Sequence, residues 1–200
     1  MPAGRLKLKM ALERYDRHFP FFDNTVTSPA GVEFEVLQVG QSVTLRDGTG
    51  RHERMLHGKE FDLCEFSMSS YLMAKGRGMD ITGVPVFPRR LFSASQMFVH
   101  ADSSIEHPRD LIGKKVAVSS FQNTLSFLAK GDLKFEYGVP WEEVKWFVQN
   151  QEKVSFRKKP GVAIEPIARG QDLGMMLERG ELDALFFPHP PHSVMAGKTK

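Results

Sequence analysis

Short runs of β-branched and aromatic residues alternate along this chain with segments whose apolar residues recur at helical spacing. Such alternation predicts strand–helix–strand units, which assemble into a mostly parallel sheet flanked by helices. The predicted strands cover residues 6–12, 33–39, 61–66, 81–87, 97–100, 115–119, 145–148 and 182–187. The pattern therefore indicates an α/β protein.

The predicted helices lie between these strands. They cover residues 51–58, 67–74, 124–133, 141–143 and 171–179. We expect Gly58 to end the first of them in a left-handed conformation, and the helix at 141–143 to run directly into the strand that follows it. The polar segment 150–161 is predicted to be an exposed loop or hairpin.

The strand–helix units form two groups that divide near residues 95–105. We therefore expect a first α/β lobe over residues 1–96, a crossing segment over 97–104, a second α/β lobe over 105–188 and an irregular, proline-rich tail over 189–200.

The composition excludes several classes of protein. The net charge is +3, and the Lys and Arg residues are scattered, which argues against a nucleic-acid partner. No apolar stretch approaches the ~18 residues of a membrane span. The amino terminus lacks the apolar core of a secretory signal, so we expect a cytoplasmic location, or a periplasmic one if a signal was removed. The single cysteine, Cys64, is expected to be a small buried hydrophobe.

Polar side chains directly follow the first predicted strand. Tyr15, Asp16 and Arg17 stand there. Ligands of open parallel sheets bind beyond the carboxyl ends of the strands, so these residues are candidate ligand contacts. A solvated helix start is the alternative interpretation.

The third predicted strand ends in a carboxylate that is followed by hydroxyl groups. Glu65 comes first, and Ser67, Ser69 and Ser70 surround the start of the next helix. Hydroxyls and free amides at a helix start favour an anion, and a carboxylate at the end of a buried strand needs a partner. The alternative is that Ser67 only caps the helix.

Two arginines follow the fourth predicted strand. Arg89 and Arg90 lie between aromatic residues, of which Phe92 is one. Arginine can hold a carboxylate with two parallel hydrogen bonds, and an aromatic ring can stack on a flat ligand. The alternative interpretation is that these arginines only increase solubility.

The second half of the chain offers a similar helix start. Its hydroxyls, amides and aromatic ring belong to Ser119, Ser120, Phe121, Gln122, Asn123 and Thr124. Two facing helix amino termini would hold an anion between them.

Two histidines, His189 and His192, follow the last predicted strand. Prolines surround them and no recognised metal motif accompanies them, so a structural or solvent-exposed role is favoured over a metal site. No residue pattern indicates a cofactor.

Several motifs taken together resemble the 4,5-dihydroxyphthalate decarboxylase family. They are YDR after the first strand, EFSMSSY at 65–71, FPRRLF at 87–92 and DLIGKKVAV at 110–118. The resemblance extends from Leu6 to about Phe187. DLIGKKVAV and LERGELDALF at 177–186 are also similar to type II periplasmic solute-binding proteins.

The resemblance implies a two-lobed fold with a ligand cleft between the lobes, from which the carboxyl-terminal part that completes the first lobe is missing here. It also implies the loss of one carboxylate from 4,5-dihydroxyphthalate to give protocatechuate.

The residues already named can be fitted to this chemistry as a hypothesis that rests on their positions. Arg89, Ser69, Ser70 and Thr124 would hold the retained carboxylate, and Phe92 and Phe121 would enclose the ring. Glu65 or His189 would protonate the ring carbon, and Tyr15 and Asp16 would bind the catechol hydroxyls.

Two other functions are consistent with the sequence. One is a solute-binding protein that delivers a small carboxylate or aromatic ligand to the permease of an ABC-type transporter without catalysis. The other is a shortened chain without activity, because an unfinished lobe exposes sheet edges and apolar surface.

Overall fold

The computed structural model describes residues 4–40, 50–152 and 154–196, without the side chains of residues 193 and 194. The chain forms two compact units. The first unit comprises Met1–Ser67 and Gly83–Pro88, and the second comprises Met68–Thr82 and Arg89–Lys200. The lobe boundaries expected from the sequence stay a prediction.

The first unit contains a three-stranded parallel sheet in the order β2-β1-β3. Its strands are β1 (Leu6–Leu12), β2 (Val32–Gln38) and β3 (Leu63–Cys64). The predicted first strand is confirmed over its whole length. Apolar and basic residues alternate over its first five positions with the period of a strand, and its last three residues are apolar and buried. Ala11, Val39 and Phe61 form the buried core beside the carboxyl ends of these strands.

Short helices surround this sheet. A 3₁₀ turn at Asp16–His18 leads into α1 (Phe19–Phe22), and α2 (Arg51–Glu53) continues as a π-helix over Arg54–Gly58. The left-handed residue that ends this helix is Lys59 and not Gly58, since its φ is 47°. A π-helical turn contains one residue more than an α-helical turn, so the left-handed cap falls at Lys59, one residue later than expected.

The second unit contains a five-stranded sheet in the order β4-β8-β5-β6-β7. Its strands are β4 (Met97–Val99), β5 (Lys115–Val118), β6 (Lys145–Val148), β7 (Ile164–Pro166) and β8 (Ala184–Phe186). All neighbouring pairs are parallel except β4 with β8. Central β5 is buried on both faces, as parallel strands usually are.

The helices of the second unit pack around this sheet. They are α3 (Met68–Gly76), α4 (Thr124–Phe135), α5 (Leu173–Glu178) and α6 (His192–Met195), with 3₁₀ turns at Ser93–Gln96, Pro108–Leu111 and Trp141–Glu143. The turn at Trp141–Glu143 leads directly into β6, which confirms that prediction. The tail, expected to be irregular, contains α6.

The strand predicted at residues 81–87 does not form. Pro85 and Pro88 lack the amide protons that a ladder needs, and the amide of Val86 bonds to the carbonyl of Val84 at 2.7 Å in a tight turn. Val84 and Val86 are 61% and 69% exposed. Apolar composition alone was therefore misleading in this segment.

Among the helices of residues 4–40, 50–152 and 154–196, none combines the length and the apolar character that crossing a bilayer requires.

Candidate ligand site

The amino termini of α3 and α4 meet in the second unit. The backbone amide of Ser69 donates a hydrogen bond to Thr124 Oγ1 at 3.3 Å, and the two side-chain hydroxyl oxygens lie 3.4 Å apart. Both helix termini carry partial positive charge. The structure thus brings together Ser69 and Thr124, which the sequence placed at separate helix starts. Ser70 follows Ser69 on α3 and is buried.

The loop before α4 is held by several hydrogen bonds. Asn123 caps α4, because its Oδ1 accepts from the amide of Ser126 at 2.8 Å. The buried hydroxyl of Ser126 donates to the carbonyl of Ser120 at 2.8 Å, and Asn150 Nδ2 lies 3.2 Å from both the carbonyl and the hydroxyl of Ser119. The loop therefore presents its polar groups in a fixed geometry.

Phe121 points from this loop into the core. Its ring stacks on Phe156 with centroids 5.5 Å apart and meets the edge of Trp146 at 5.9 Å. The ring expected to stack on a ligand is thus buried among protein side chains. Phe92 is 86% exposed, so its ring is accessible to a ligand.

Two ionisable groups, the buried Lys130 and the half-buried Glu152, lie beneath the loop. Burial lowers the pKa of the Lys130 amine to about 7, and the negative charge of Glu152 partly opposes this shift. Burial also raises the pKa of Glu152, although the backbone amides of Gln122 and Phe121 donate to its carboxylate. No local sequence pattern marks either residue.

In the first unit, Arg51 joins the carboxyl ends of all three strands. Its side chain is fully buried. The guanidinium donates to the carbonyl of Val39 after β2 at 2.5 Å, and to both the carbonyl and the carboxylate of Glu65 after β3 at 2.8 Å. Its Nη1 lies 3.9 Å from the carboxylate of Glu13, which follows β1.

Arg51 was missed from the sequence. The available signal was the requirement of Glu65 for a partner, which pointed to a cation without saying which one. The local pattern showed only a helix start in a basic segment.

Tyr15 belongs to the same cluster. Burial, together with a hydrogen bond to the carboxylate of Glu65, raises the pKa of its hydroxyl above the ordinary range for tyrosine. Its ring stacks on His18 with centroids 4.4 Å apart, and the Arg17 guanidinium lies 4.4 Å from the ring centroid. Burial also raises the pKa of the neighbouring Cys64 thiol to about 12.

The remaining predicted residues are more exposed. Ser67 and Gln122 are half-buried, and Asp16, Arg17, Arg89, Arg90 and His189 are exposed. Asp16 and Arg17 pair with each other at 3.4 Å, but Arg89 and Arg90 have no ion-pair partner in the part of the chain that the structure describes. Within that part, no group of three or more His, Cys, Asp or Glu residues is arranged to hold a metal ion.

Comparison with solved structures supports the fold. The chain superimposes on the periplasmic aliphatic sulphonate binding protein SsuA from Escherichia coli with a TM-score of 0.62 at 14% sequence identity. The superposition covers 98% of this chain and 60% of that protein. At this identity the likeness shows a solute-binding-protein fold, as the sequence predicted.

Two curated relatives are each named 4,5-dihydroxyphthalate decarboxylase. The protein from Comamonas testosteroni is 30% identical over 195 residues, which cover 94% of this chain and 57% of the relative. The protein from Pseudomonas putida is 28% identical over 204 residues, which cover 98% of this chain and 76% of the relative. The chain thus spans little more than half the length of the first relative.

A family model gives the most direct assignment. The model described as NMT1/THI5 like matches residues 39–158, which include Glu65, Arg89 and the helix starts at Ser69 and Thr124. Because the model covers more than half of the chain, the chain belongs to the NMT1/THI5-like family, and its fold is that of a periplasmic binding protein.

Proposed function

We propose that this chain binds a small aromatic carboxylate at the paired amino termini of α3 and α4, and that it is a carboxy-lyase acting on 4,5-dihydroxyphthalate. The observation that carries the proposal is the contact between Ser69 and Thr124, which places two positive helix ends at one point. The names of the two relatives support the choice of substrate.

The helix termini alone are too weak to account for useful affinity. Each contributes roughly 0.3–1 kcal/mol towards a negative charge at an exposed site, whereas a micromolar complex needs about 8 kcal/mol. The exposed arginines Arg89 and Arg90 and the exposed ring of Phe92 are the proposed sources of further binding energy. Ser119, Ser120, Gln122 and Asn123 complete the proposed set of ligand contacts.

The proposed reaction breaks one bond between the ring and a carboxylate. Carbon dioxide departs, the electron pair stays on the ring carbon, and this carbon takes a proton to give protocatechuate. The second carboxylate is retained and stays bound at the helix termini. A fixed carboxylate orients the ring so that only one of the two carboxylates can leave.

Glu65 and His189 are the proposed proton donors. His189 is exposed, while Glu65 shares its carboxylate with Arg51 and Tyr15, so the two candidates differ in environment. The variants Glu65→Gln and His189→Gln separate them. A proton donor must be protonated to act, so only loss of the true donor removes the fall of kcat on the alkaline side of the pH profile.

A second candidate function is solute binding without catalysis. The likeness to a sulphonate-binding protein favours it, because a sulphonate, like a carboxylate, is a small anion. Under this proposal the partner is a transporter permease and the location is periplasmic, while the enzyme proposal goes with a cytoplasmic location.

One experiment separates the two candidates. The purified chain is incubated with 4,5-dihydroxyphthalate, protocatechuate and carbon dioxide are measured, and the binding of phthalate and of an alkanesulphonate is measured by calorimetry. Turnover supports the enzyme, and binding of either anion without turnover supports the receptor. If neither anion binds, both proposals fail.

A further inference from the structure

Lys130 is a lysine in the interior of the second unit. Its residue is 6% exposed, although lysine is almost never buried without a partner. The amine donates a hydrogen bond to the carbonyl of Phe121 at 2.5 Å. It lies 3.3 Å from the centroid of the Phe121 ring and 5.5 and 5.8 Å from those of Trp141 and Trp146. A hydrophobic side chain would fill this space at a lower free-energy cost, so packing alone does not account for a lysine at this position.

Glu152 holds the same part of the loop from the other side. Its Oε1 accepts from the amide of Gln122 at 2.9 Å, and its carboxylate also accepts from the backbone amide of Phe121. The carbonyl of Phe121 and the amide of Gln122 belong to one peptide group. Because these two atoms point in opposite directions from a trans peptide, Lys130 and Glu152 hold that peptide at both of its polar ends.

This peptide directly precedes the ligand-binding end of α4. Asn123 and Thr124 follow it, and Asn123 provides the cap of the helix. A rotation of the Phe121–Gln122 peptide would move the cap and alter how the helix start faces a ligand. Displacements of about 1 Å in a positioning group can cost a hundredfold in activity.

We propose that Lys130 and Glu152 are positioning residues, which fix the Phe121–Gln122 peptide and thereby set the geometry of the anion site at the start of α4. The inference rests on the proposed function, since it assigns a role to residues that support the same site. Neither residue touches the ligand in this proposal.

The protonation of Lys130 makes the support sensitive to pH. Burial lowers the pKa of its amine to about 7, and Glu152 is the charged group that opposes this shift. The other charged residues on the elements around the amine are Asp132 and Lys134 on α4, Glu142 and Glu143 on the turn that carries Trp141, and Lys145 on β6. Glu142 forms an ion pair with Lys159. A charged amine binds the Phe121 carbonyl more strongly than a neutral one, so the loop is held more firmly below neutral pH.

The chain contains a built-in probe of this amine. Its two tryptophans, Trp141 and Trp146, both lie within 6 Å of Lys130 Nζ. Titrating the intrinsic fluorescence of the wild-type chain should give a step with a midpoint near neutral pH. The step should be absent in Lys130→Met and present in Lys134→Met, in which an exposed lysine on the same helix is replaced.

The binding test compares variants at a pH below this midpoint. Phthalate affinity should fall at least tenfold in Lys130→Met and in Glu152→Leu, whereas Lys130→Arg, which keeps a cationic donor, should restore at least part of it. Lys134→Met should bind like the wild type. The folded fraction of Lys130→Met is compared with the wild type, whatever the melting temperature of the variant. If it binds phthalate with wild-type affinity and its fluorescence changes with pH as in the wild type, the inference is overturned.

Hydrogen exchange at the Gln122 amide tests the positioning role without any ligand. Exchange at this amide should become at least tenfold faster in Lys130→Met. Amides on β5 should still exchange at the rate expected from the global free energy of unfolding of the variant. An unchanged rate at Gln122 contradicts the inference even if phthalate binds. If the wild type binds neither phthalate nor an alkanesulphonate, but exchange at Gln122 changes as expected, only the proposed function is contradicted.

Discussion

The backbone amide of Ser69 donates to the hydroxyl of Thr124 across 55 positions of sequence, and this bond joins the starts of two helices in one unit. The Thr124 hydroxyl therefore has two roles in the proposed site. It holds α3 against α4, and it provides a polar group at the point where both helix ends favour negative charge.

Replacing Thr124 by Val removes this hydroxyl while keeping the shape of the side chain. We expect phthalate affinity to fall about tenfold, because a hydrogen bond to a charged ligand contributes roughly 1.5–3 kcal/mol and part of it is recovered by water. Thr124→Ser keeps the hydroxyl and should retain most of the affinity. Equal affinities for the Val variant and the wild type, measured by calorimetry, would remove Thr124 from the site.

Replacing Arg51 by Met tests whether the guanidinium holds the first unit together. The change leaves the carboxylate of Glu65 and the carbonyl of Val39 without their buried partner. We expect the free energy of unfolding to fall by about 3–5 kcal/mol in urea titrations.

The control is Arg179→Met, because Arg179 pairs with Glu181 at 2.6 Å on the surface. This change should cost less than about 1 kcal/mol. The double variant Arg51→Met/Glu65→Leu should recover part of the lost stability, since it removes the unpaired carboxylate as well. Similar losses for Arg51→Met and Arg179→Met would contradict the prediction.

Cys64 should react slowly with thiol reagents in the folded chain. Burial raises the pKa of its thiol from 9.0 to about 12, so at a mildly basic pH the thiolate fraction is about a thousandfold lower than for an ordinary cysteine. The rate of reaction with a chromogenic disulfide should therefore be at least a thousandfold lower than in concentrated urea. A native rate within tenfold of the unfolded rate would show that the thiol is not held in this environment.

Stability should depend on pH through Lys130. The unfolded chain carries this lysine with a pKa of 10.5, and the folded chain with a pKa of about 7. Between these values the unfolded chain binds more protons, so the free energy of unfolding rises with pH. From pH 7 to pH 9 the wild type should gain about 2 kcal/mol relative to Lys130→Met. Parallel curves for the two proteins in urea titrations would exclude a lowered pKa at Lys130.

Local patterns predicted the strands and helices correctly where most residues of a segment followed one period. The strand at Leu6–Leu12 follows from the alternation of apolar and basic residues over positions 6–10, and the strand at Lys145–Val148 follows from its apolar run after a proline-initiated turn. Ile164–Pro166 was missed because three residues at a sheet edge are too few to show a period. The valines near Pro85 favour a strand by their intrinsic propensity, but the neighbouring prolines prevent the hydrogen bonding between strands that a sheet needs.

The candidate site was predictable in part. Serine and threonine at Ser69, Ser70 and Thr124 marked helix starts from the sequence, and the order of strands suggested that such starts converge. Their actual contact depends on how α3 and α4 pack. Phe121 illustrates the limit, because its aromatic ring was expected to face a ligand and packs in the core among Phe156 and Trp146.

The sequence by itself determined the α/β class, most strand and helix positions and the hydroxyl-rich helix starts, because these depend on periodicity and on neighbours within a few residues. Only the tertiary structure decided that Arg51 joins three strand ends and that Lys130 is buried beneath the loop that precedes α4. Both are charged residues in stretches that otherwise look like solvated helices. Their burial is stable only because acceptors outside the local segment compensate the loss of water: Glu65 accepts from Arg51, and the Phe121 carbonyl accepts from Lys130. No local pattern contains that information.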